Sequence, residues 1–162
     1  MRIAMIGSGY VGLVSGACFS EFGVNTVCVD KDADKIARLT AGEIPIFEPG
    51  LDDLVRKNVH AGRLSFTMDL ASAVASANAV FIAVGTPSRR GDGHADLSYV
   101  YAAAEELARG MDGKRRRLFV VEWAQARVAL RSGLLQTHVF PNDIHDVHRG
   151  FELFLEIHSP AR

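Results

Sequence analysis

Cysteine is scarce in this 162-residue chain, which holds two, Cys18 and Cys28. A disulfide framework needs more of them in a shorter secreted chain, so none is expected. Both lie in apolar stretches of predicted regular structure and read as reduced core residues. A reactive thiolate is the weaker reading, because an apolar setting raises a thiol's pKa. Charge of one sign is lacking too: the net charge is −1, so no overall field draws the chain to nucleic acid or to a membrane surface. No apolar run reaches the roughly 18 residues of a membrane span. Met1-Arg2 leads straight into an apolar strand, without the longer basic start and cleavage site of a signal peptide, and the expected compartment is the cytoplasm. Internal repeats and low-complexity segments are absent. The remaining composition, 48% hydrophobic and 23% charged, suits one globular domain with a sizeable core.

Strands and helices are expected to alternate over residues 1–113. Apolar runs at 2–6, 26–29, 64–67 and 79–84 read as buried strands. Residues 10–22 place apolar side chains at 10, 11, 14, 17, 18 and 22, a 3.6-residue period, and Gly23 ends that helix. Asp32 is placed to cap a helix to about residue 41, with Ile36 and Leu39 inward. A connector at 42–50, stiffened by Pro45 and Pro49, precedes a short helix at 51–60. Asp69 caps an alanine-rich helix to about 77. After a glycine-rich loop at 85–95, Asp96 caps a last helix from 97 to about 109. This alternation, with strands apolar on both faces, predicts a doubly wound parallel α/β sheet of Rossmann type.

Gly7-Ser8-Gly9-Tyr10-Val11-Gly12 is a G-x-G-x-x-G run that follows a strand and opens a helix. Gly7 allows the tight turn, Gly9 lets the backbone approach a pyrophosphate, and Gly12 lets the helix pack closely on the strand. The free N–H groups and the positive end of the helix then face phosphate. Asp30 lies 18 residues beyond Gly12 at the end of the second strand, where a carboxylate accepts hydrogen bonds from the adenosine ribose. Such a carboxylate repels the 2′-phosphate of NADP, which favours NAD. Lys31 and Lys35 pull the other way, since a cation accepts a phosphate. The loop Val84-Gly85-Thr86-Pro87 falls at the switch point between strands one and four. Thr86 is placed there to bond the cofactor, although an ordinary loop has the same position. The plain alternative for the whole motif is a strand-turn-helix holding no ligand.

Several segments together resemble the NAD-dependent UDP-glucose/GDP-mannose 6-dehydrogenases. They are Gly7-Ser8-Gly9-Tyr10-Val11-Gly12-Leu13, Val29-Asp30-Lys31-Asp32 with Lys35, Pro45-Ile46-Phe47-Glu48-Pro49-Gly50-Leu51, and Val84-Gly85-Thr86-Pro87 with Ala95-Asp96-Leu97-Ser98. The helix Gly12-Leu13-Val14-Ser15-Gly16-Ala17-Cys18 is more similar to the UDP-glucose branch. The resemblance carries cofactor contacts over to Val11, Asp30, Lys35 and Thr86, and with the two glycine loops the candidate cofactor site is Gly7, Gly9, Tyr10, Val11, Gly12, Asp30, Lys35, Gly85 and Thr86. It implies NAD as cofactor, UDP-glucose as substrate of the full-length family, and a homodimer or larger assembly there. It further implies oxidation of the C6 alcohol to a carboxylate in two hydride transfers, through a thiohemiacetal and a thioester on a cysteine of a C-terminal domain.

The pattern stops after Gly113. Where the family has a valine-rich strand ending in Ser-Thr-Val-Pro, this chain reads Lys114-Arg115-Arg116-Arg117-Leu118-Phe119-Val120-Val121-Glu122-Trp123. Neither Cys18 nor Cys28 matches the family's catalytic cysteine. Residues 1–113 are therefore expected to form the NAD-binding domain and 114–162 a divergent tail, from a frameshift or truncation. In that tail residues 118–121 are a candidate fifth strand. No catalytic residue is assigned, and the chain alone is expected to be inactive. A non-catalytic NAD-binding or assembly module is the alternative. Residues 114–117 read as a solvated basic face rather than a nucleic-acid site. His145 and His148 have i, i+3 spacing with Asp143 and Asp146 adjacent, but a closed metal site needs four ligands that converge, and no metal is expected. Phe151, Leu153, Phe154, Leu155 and Ile157 fit a strand and a helical face equally well.

Overall fold

The computed structural model describes residues 1–89, 95–110, 118–122 and 138–140. One six-stranded sheet runs in the order β3-β2-β1-β4-β5-β6. Its strands are β1 (Arg2–Ile6), β2 (Asn25–Val29), β3 (Leu64–Thr67), β4 (Ala79–Ile82), β5 (Leu118–Glu122) and β6 (His138–Phe140). The first five pair in parallel, and β6 adds to the edge of β5 in the antiparallel sense. The helices are α1 (Tyr10–Glu21), α2 (Ala33–Thr40), α3 (Leu51–His60), α4 (Leu70–Ser76) and α5 (Ser98–Gly110). The doubly wound parallel sheet expected from the sequence is present, and the candidate fifth strand is β5. The tail residues 114–117, 143–148 and 151–157 lie outside the described residues.

Two apolar layers cover the sheet. One gathers Met5, Leu13, Ala17, Cys28, Leu39, Leu51, Val55 and Leu64 under α1, α2 and α3. The other gathers Ala4, Ile6, Val29, Val74, Val80, Ile82, Val100 and Leu107 under α4 and α5. Alternate residues of β1 serve opposite layers, Ala4 and Ile6 one and Met5 the other, which is why the strand is apolar after Arg2. Burying each Val, Leu or Ile side chain stabilises by about 1.5–3 kcal/mol before chain entropy is counted.

Asp32 and Asp69 cap their helices as expected, accepting from the N–H groups of Lys35 and Ser72 at 3.0 Å. Asp96 differs slightly. Its carboxylate accepts from the Ser98 N–H at 3.0 Å, and the helix starts at Ser98, one residue later than the reading above. β4 ends at Ile82, two residues early.

The phase of α1 is also corrected. Its buried residues are Gly12, Leu13, Gly16, Ala17 and Ser20, whereas Tyr10, Cys18 and Phe22 are exposed. Smallness outweighs hydropathy here. A Cβ on Gly16 would lie 2.7 Å from the Cys28 Sγ, so the glycines must face the sheet. That rotation turns Cys18 outward, and it is not the core residue the sequence suggested. Cys28 is, and burial together with the nearby Asp30 charge pushes its thiol up to about 12.

Candidate functional site

Because β1 has β2 on one side and β4 on the other, the chain diverges at the carboxyl end of β1, where crevices form in such sheets. Gly7 leaves β1 at φ +97°, a region side chains disfavour. Its N–H donates to the Val29 carbonyl at 2.7 Å. A Cβ there would stand 2.7 Å from the Ala83 carbonyl oxygen, so Gly7 is wedged between the ends of β2 and β4. Gly12 lies against that same turn: its Cβ would fall 1.8 Å from the Gly7 oxygen. A Cβ on Gly9, by contrast, meets nothing within 4 Å.

The tip of α1 is undecorated. Gly9 caps it without a side-chain hydrogen bond, and the first turn carries no acidic residue. The first helical N–H to reach an acceptor is that of Leu13, at 2.9 Å from the Gly9 oxygen. The N–H groups of Tyr10, Val11 and Gly12 therefore point out of the helix with its positive end behind them.

Asp30 is drawn into this turn. Its Oδ2 accepts from the Ser8 N–H at 2.9 Å, the Ser8 hydroxyl at 2.8 Å and the Lys35 ammonium at 2.8 Å. Its Oδ1 accepts from the Asp32 N–H at 3.1 Å, and a carboxylate oxygen has room for further donors. Partial burial pushes the Asp30 carboxyl up. The Lys35 ammonium, the N–H groups of Ser8 and Asp32, and the Ser8 hydroxyl outweigh it and hold the group at about 2. Since the folded value lies below the unfolded one, the resulting stability is present above pH 4 and is lost as pH falls toward 2. The side chain is only 13% exposed, so the difference is worth about 2 kcal/mol. Urea titrations should show the gap in stability between the parent and Asp30→Asn shrinking by about that amount from pH 5 to pH 2; a gap independent of pH would refute the assignment.

The expected residues are thus largely brought together. Gly7, Gly9, Gly12, Asp30 and Lys35 surround one turn. Tyr10 and Val11 open the helix beside it, exposed. Gly85 and Thr86 leave β4 just beyond Ala83, which touches Gly7. Among the described residues Thr86 makes no hydrogen bond to the rest of the set. Two participants escaped sequence reading. Ser8, a variable position of the motif, is fully buried and locks the turn to Asp30; a small hydroxyl residue at that place is the signal. Glu48, on the connector, accepts a hydrogen bond from the Tyr10 hydroxyl. Among the described residues no group of three or more His, Cys, Asp or Glu comes together as a metal site, and no helix is long and apolar enough to cross a membrane.

A glycine turn at the switch point, an open helix tip and an acid at the end of the second strand define a dinucleotide-binding domain of the dehydrogenase type. The undecorated N–H groups suit a diphosphate and the free face of Asp30 suits a ribose, so the residues fit the cofactor. The particular family follows from comparison: residues 1–125 match the model of the UDP-glucose/GDP-mannose dehydrogenase family, NAD binding domain, and the chain belongs to that family. UDP-glucose 6-dehydrogenase of Rhizobium meliloti (strain 1021) is 69% identical over 113 residues, which are 70% of this chain and 26% of that protein. The Bacillus subtilis (strain 168) UDP-glucose 6-dehydrogenase YwqF is 43% identical over 142 residues, 86% of this chain and 31% of the relative. The chain thus spans between a quarter and a third of these relatives. Among solved structures, a GDP-mannose dehydrogenase from Pseudomonas aeruginosa superposes with a TM-score of 0.73 at 29% identity, covering 97% of this chain and 44% of that one. A UDP-glucose dehydrogenase from Pyrobaculum islandicum superposes with a TM-score of 0.70 at 30% identity, covering 99% and 44%.

Proposed function

We propose that this chain is the NAD-holding part of a UDP-glucose 6-dehydrogenase. In this reading the N–H groups at the tip of α1, with Gly7, Gly9, Tyr10, Val11 and Gly12, receive the pyrophosphate. Asp30 and Lys35 hold the adenosine ribose, and Gly85 and Thr86 close the far side of the crevice. NAD, when bound, supplies the hydride acceptor. The chain's own residues bind and orient it, and neither cysteine is placed as the family's nucleophile: Cys28 is buried with its thiol pushed up to about 12, and Cys18 lies on α1 about two turns beyond the tip that receives the cofactor. UDP-glucose and the two-step oxidation belong, in this proposal, to the activity of the full-length relatives, as does assembly into dimers or larger forms.

The observation that carries the reading is the contact between the Asp30 carboxylate and the Ser8 N–H at 2.9 Å, which joins the acid at the end of β2 to the glycine turn. Calorimetric titration with NAD tests it. Saturable one-to-one binding is expected, with no NADH formed when UDP-glucose is added to the purified 162-residue chain. Absence of NAD binding by the folded chain would overturn the assignment, and NADH production would overturn the expectation that the chain alone is inactive.

A further inference from the structure

Two cations flank Asp30, and both are already engaged. Lys35, on α2, meets Asp30 Oδ2 at 2.8 Å. Lys31, the residue after Asp30, reaches the opposite way and meets Glu106 Oε2 on α5 at 2.6 Å. The two helices pack on opposite faces of the sheet: Leu39 of α2 lies in one apolar layer and Leu107 of α5 in the other. Glu106 is placed by its neighbour Leu107, which is 1% exposed. The Asp30 carboxylate is tied toward Ser8 and α2, while the Lys31 ammonium is drawn away toward α5. Asp32, whose carboxylate caps α2, adds a second negative group on the Asp30 side.

A cation beside the acid at the end of the second strand is what accommodates a 2′-phosphate in dinucleotide sites. Lys31 has the right position in the chain for that role and the wrong partner. We propose that Glu106 is a specificity-determining residue: by holding Lys31 against α5 it withholds an ammonium next to Asp30 that Asp30 does not itself neutralise, and so sharpens the preference for a cofactor whose ribose lacks a 2′-phosphate. This rests on the reading of the site as an NAD site. Asp30 supplies the repulsion, and Glu106 removes the compensating attraction. The Lys31 side chain is 76% exposed, so the restraint is weak in energy and screened by salt. Its effect is a tuning of the ratio between two cofactors rather than a switch.

The test is the pair of dissociation constants for NAD and NADP, measured by calorimetry on the full chain at low salt. Glu106→Gln should tighten NADP binding by about fivefold, the scale of one exposed ion pair redirected to a phosphate, and change NAD binding by less than about twofold. The gain should shrink at roughly 0.5 M salt. Glu106→Asp should keep the parent's ratio, and adding Lys31→Met to Glu106→Gln should abolish the gain. A merely structural role for Glu106 would move both constants together, and circular dichroism on each variant checks the fold. An unchanged NADP-to-NAD ratio in Glu106→Gln, or a gain that survives Lys31→Met, overturns the proposal while leaving the NAD site intact. A parent chain that binds neither cofactor overturns the NAD reading and this inference with it.

Discussion

Replacing Gly12 by alanine is expected to cost the domain at least about 3 kcal/mol and to lower Tm by on the order of 10 °C. The added methyl would stand 1.8 Å from the Gly7 oxygen and 2.9 Å from its carbonyl carbon. These are backbone atoms, and they have no rotamer into which to retreat. Gly7 cannot yield either. Its φ of +97° and its approach to the Ala83 carbonyl leave it wedged between the ends of β2 and β4. Relief therefore requires α1 to lift off the sheet, which opens the layer containing Leu13 and Ala17. Gly9→Ala provides the contrast. Its Cβ points into open space and its φ of −75° suits alanine, so Tm should hold within about 2 °C. NAD binding should nevertheless weaken, because the methyl would stand where the pyrophosphate must approach. Thermal melts of the two variants by circular dichroism check this; equal melting temperatures would refute the account of Gly12.

Asp30→Ala should be the most damaging change to cofactor binding. Two losses combine. The ribose loses a charged acceptor, worth about 1.5–3 kcal/mol for such a hydrogen bond, so NAD affinity should fall by roughly 10- to 100-fold. The apoprotein also loses the group that binds the fully buried Ser8 through both its N–H and its hydroxyl. Unpaired buried donors cost on the order of 1–3 kcal/mol. Asp30→Asn keeps an acceptor and should fall between. Calorimetry at a temperature where the variants remain folded separates the two effects, and an Asp30→Ala chain with the parent's NAD affinity would exclude any ribose contact.

Features governed by neighbours in the chain were the most legible in the sequence. The glycine run, the strand before it and the caps at Asp32 and Asp69 each depend on residues within a turn of one another. Asp30 was legible through its distance from the motif, since one helix and one strand fill that interval. The phase of α1 was not. The spacing of apolar residues marks the helix but not its inward face: α1 approaches the sheet so closely that Gly12, Gly16 and Ala17 turn toward it beside Leu13, while Tyr10, Cys18 and Phe22 stay exposed. Volume decided what hydropathy could not. β4 reads as six apolar residues, yet it ends at Ile82. Ala83 still gives its N–H to the Ile6 oxygen at 2.8 Å, and the chain then turns away where Gly7 occupies the adjoining space. The bonds from Tyr10 to Glu48 and from Lys31 to Glu106 join residues far apart in sequence, and no local pattern announces either. The antiparallel placement of β6 is of the same kind, because nothing in three residues specifies which edge they will join.

The central claim is that the exposed amides of one helix tip, steered by Asp30, are the cofactor's seat. Titrating isotopically labelled chain with NAD and following its backbone amide resonances tests this most directly. The account predicts saturable shifts concentrated at Gly9, Tyr10, Val11 and Gly12, accompanied by Asp30 and Lys35. Shifts confined to other parts of the chain, with those four amides unmoved at saturation, would contradict it.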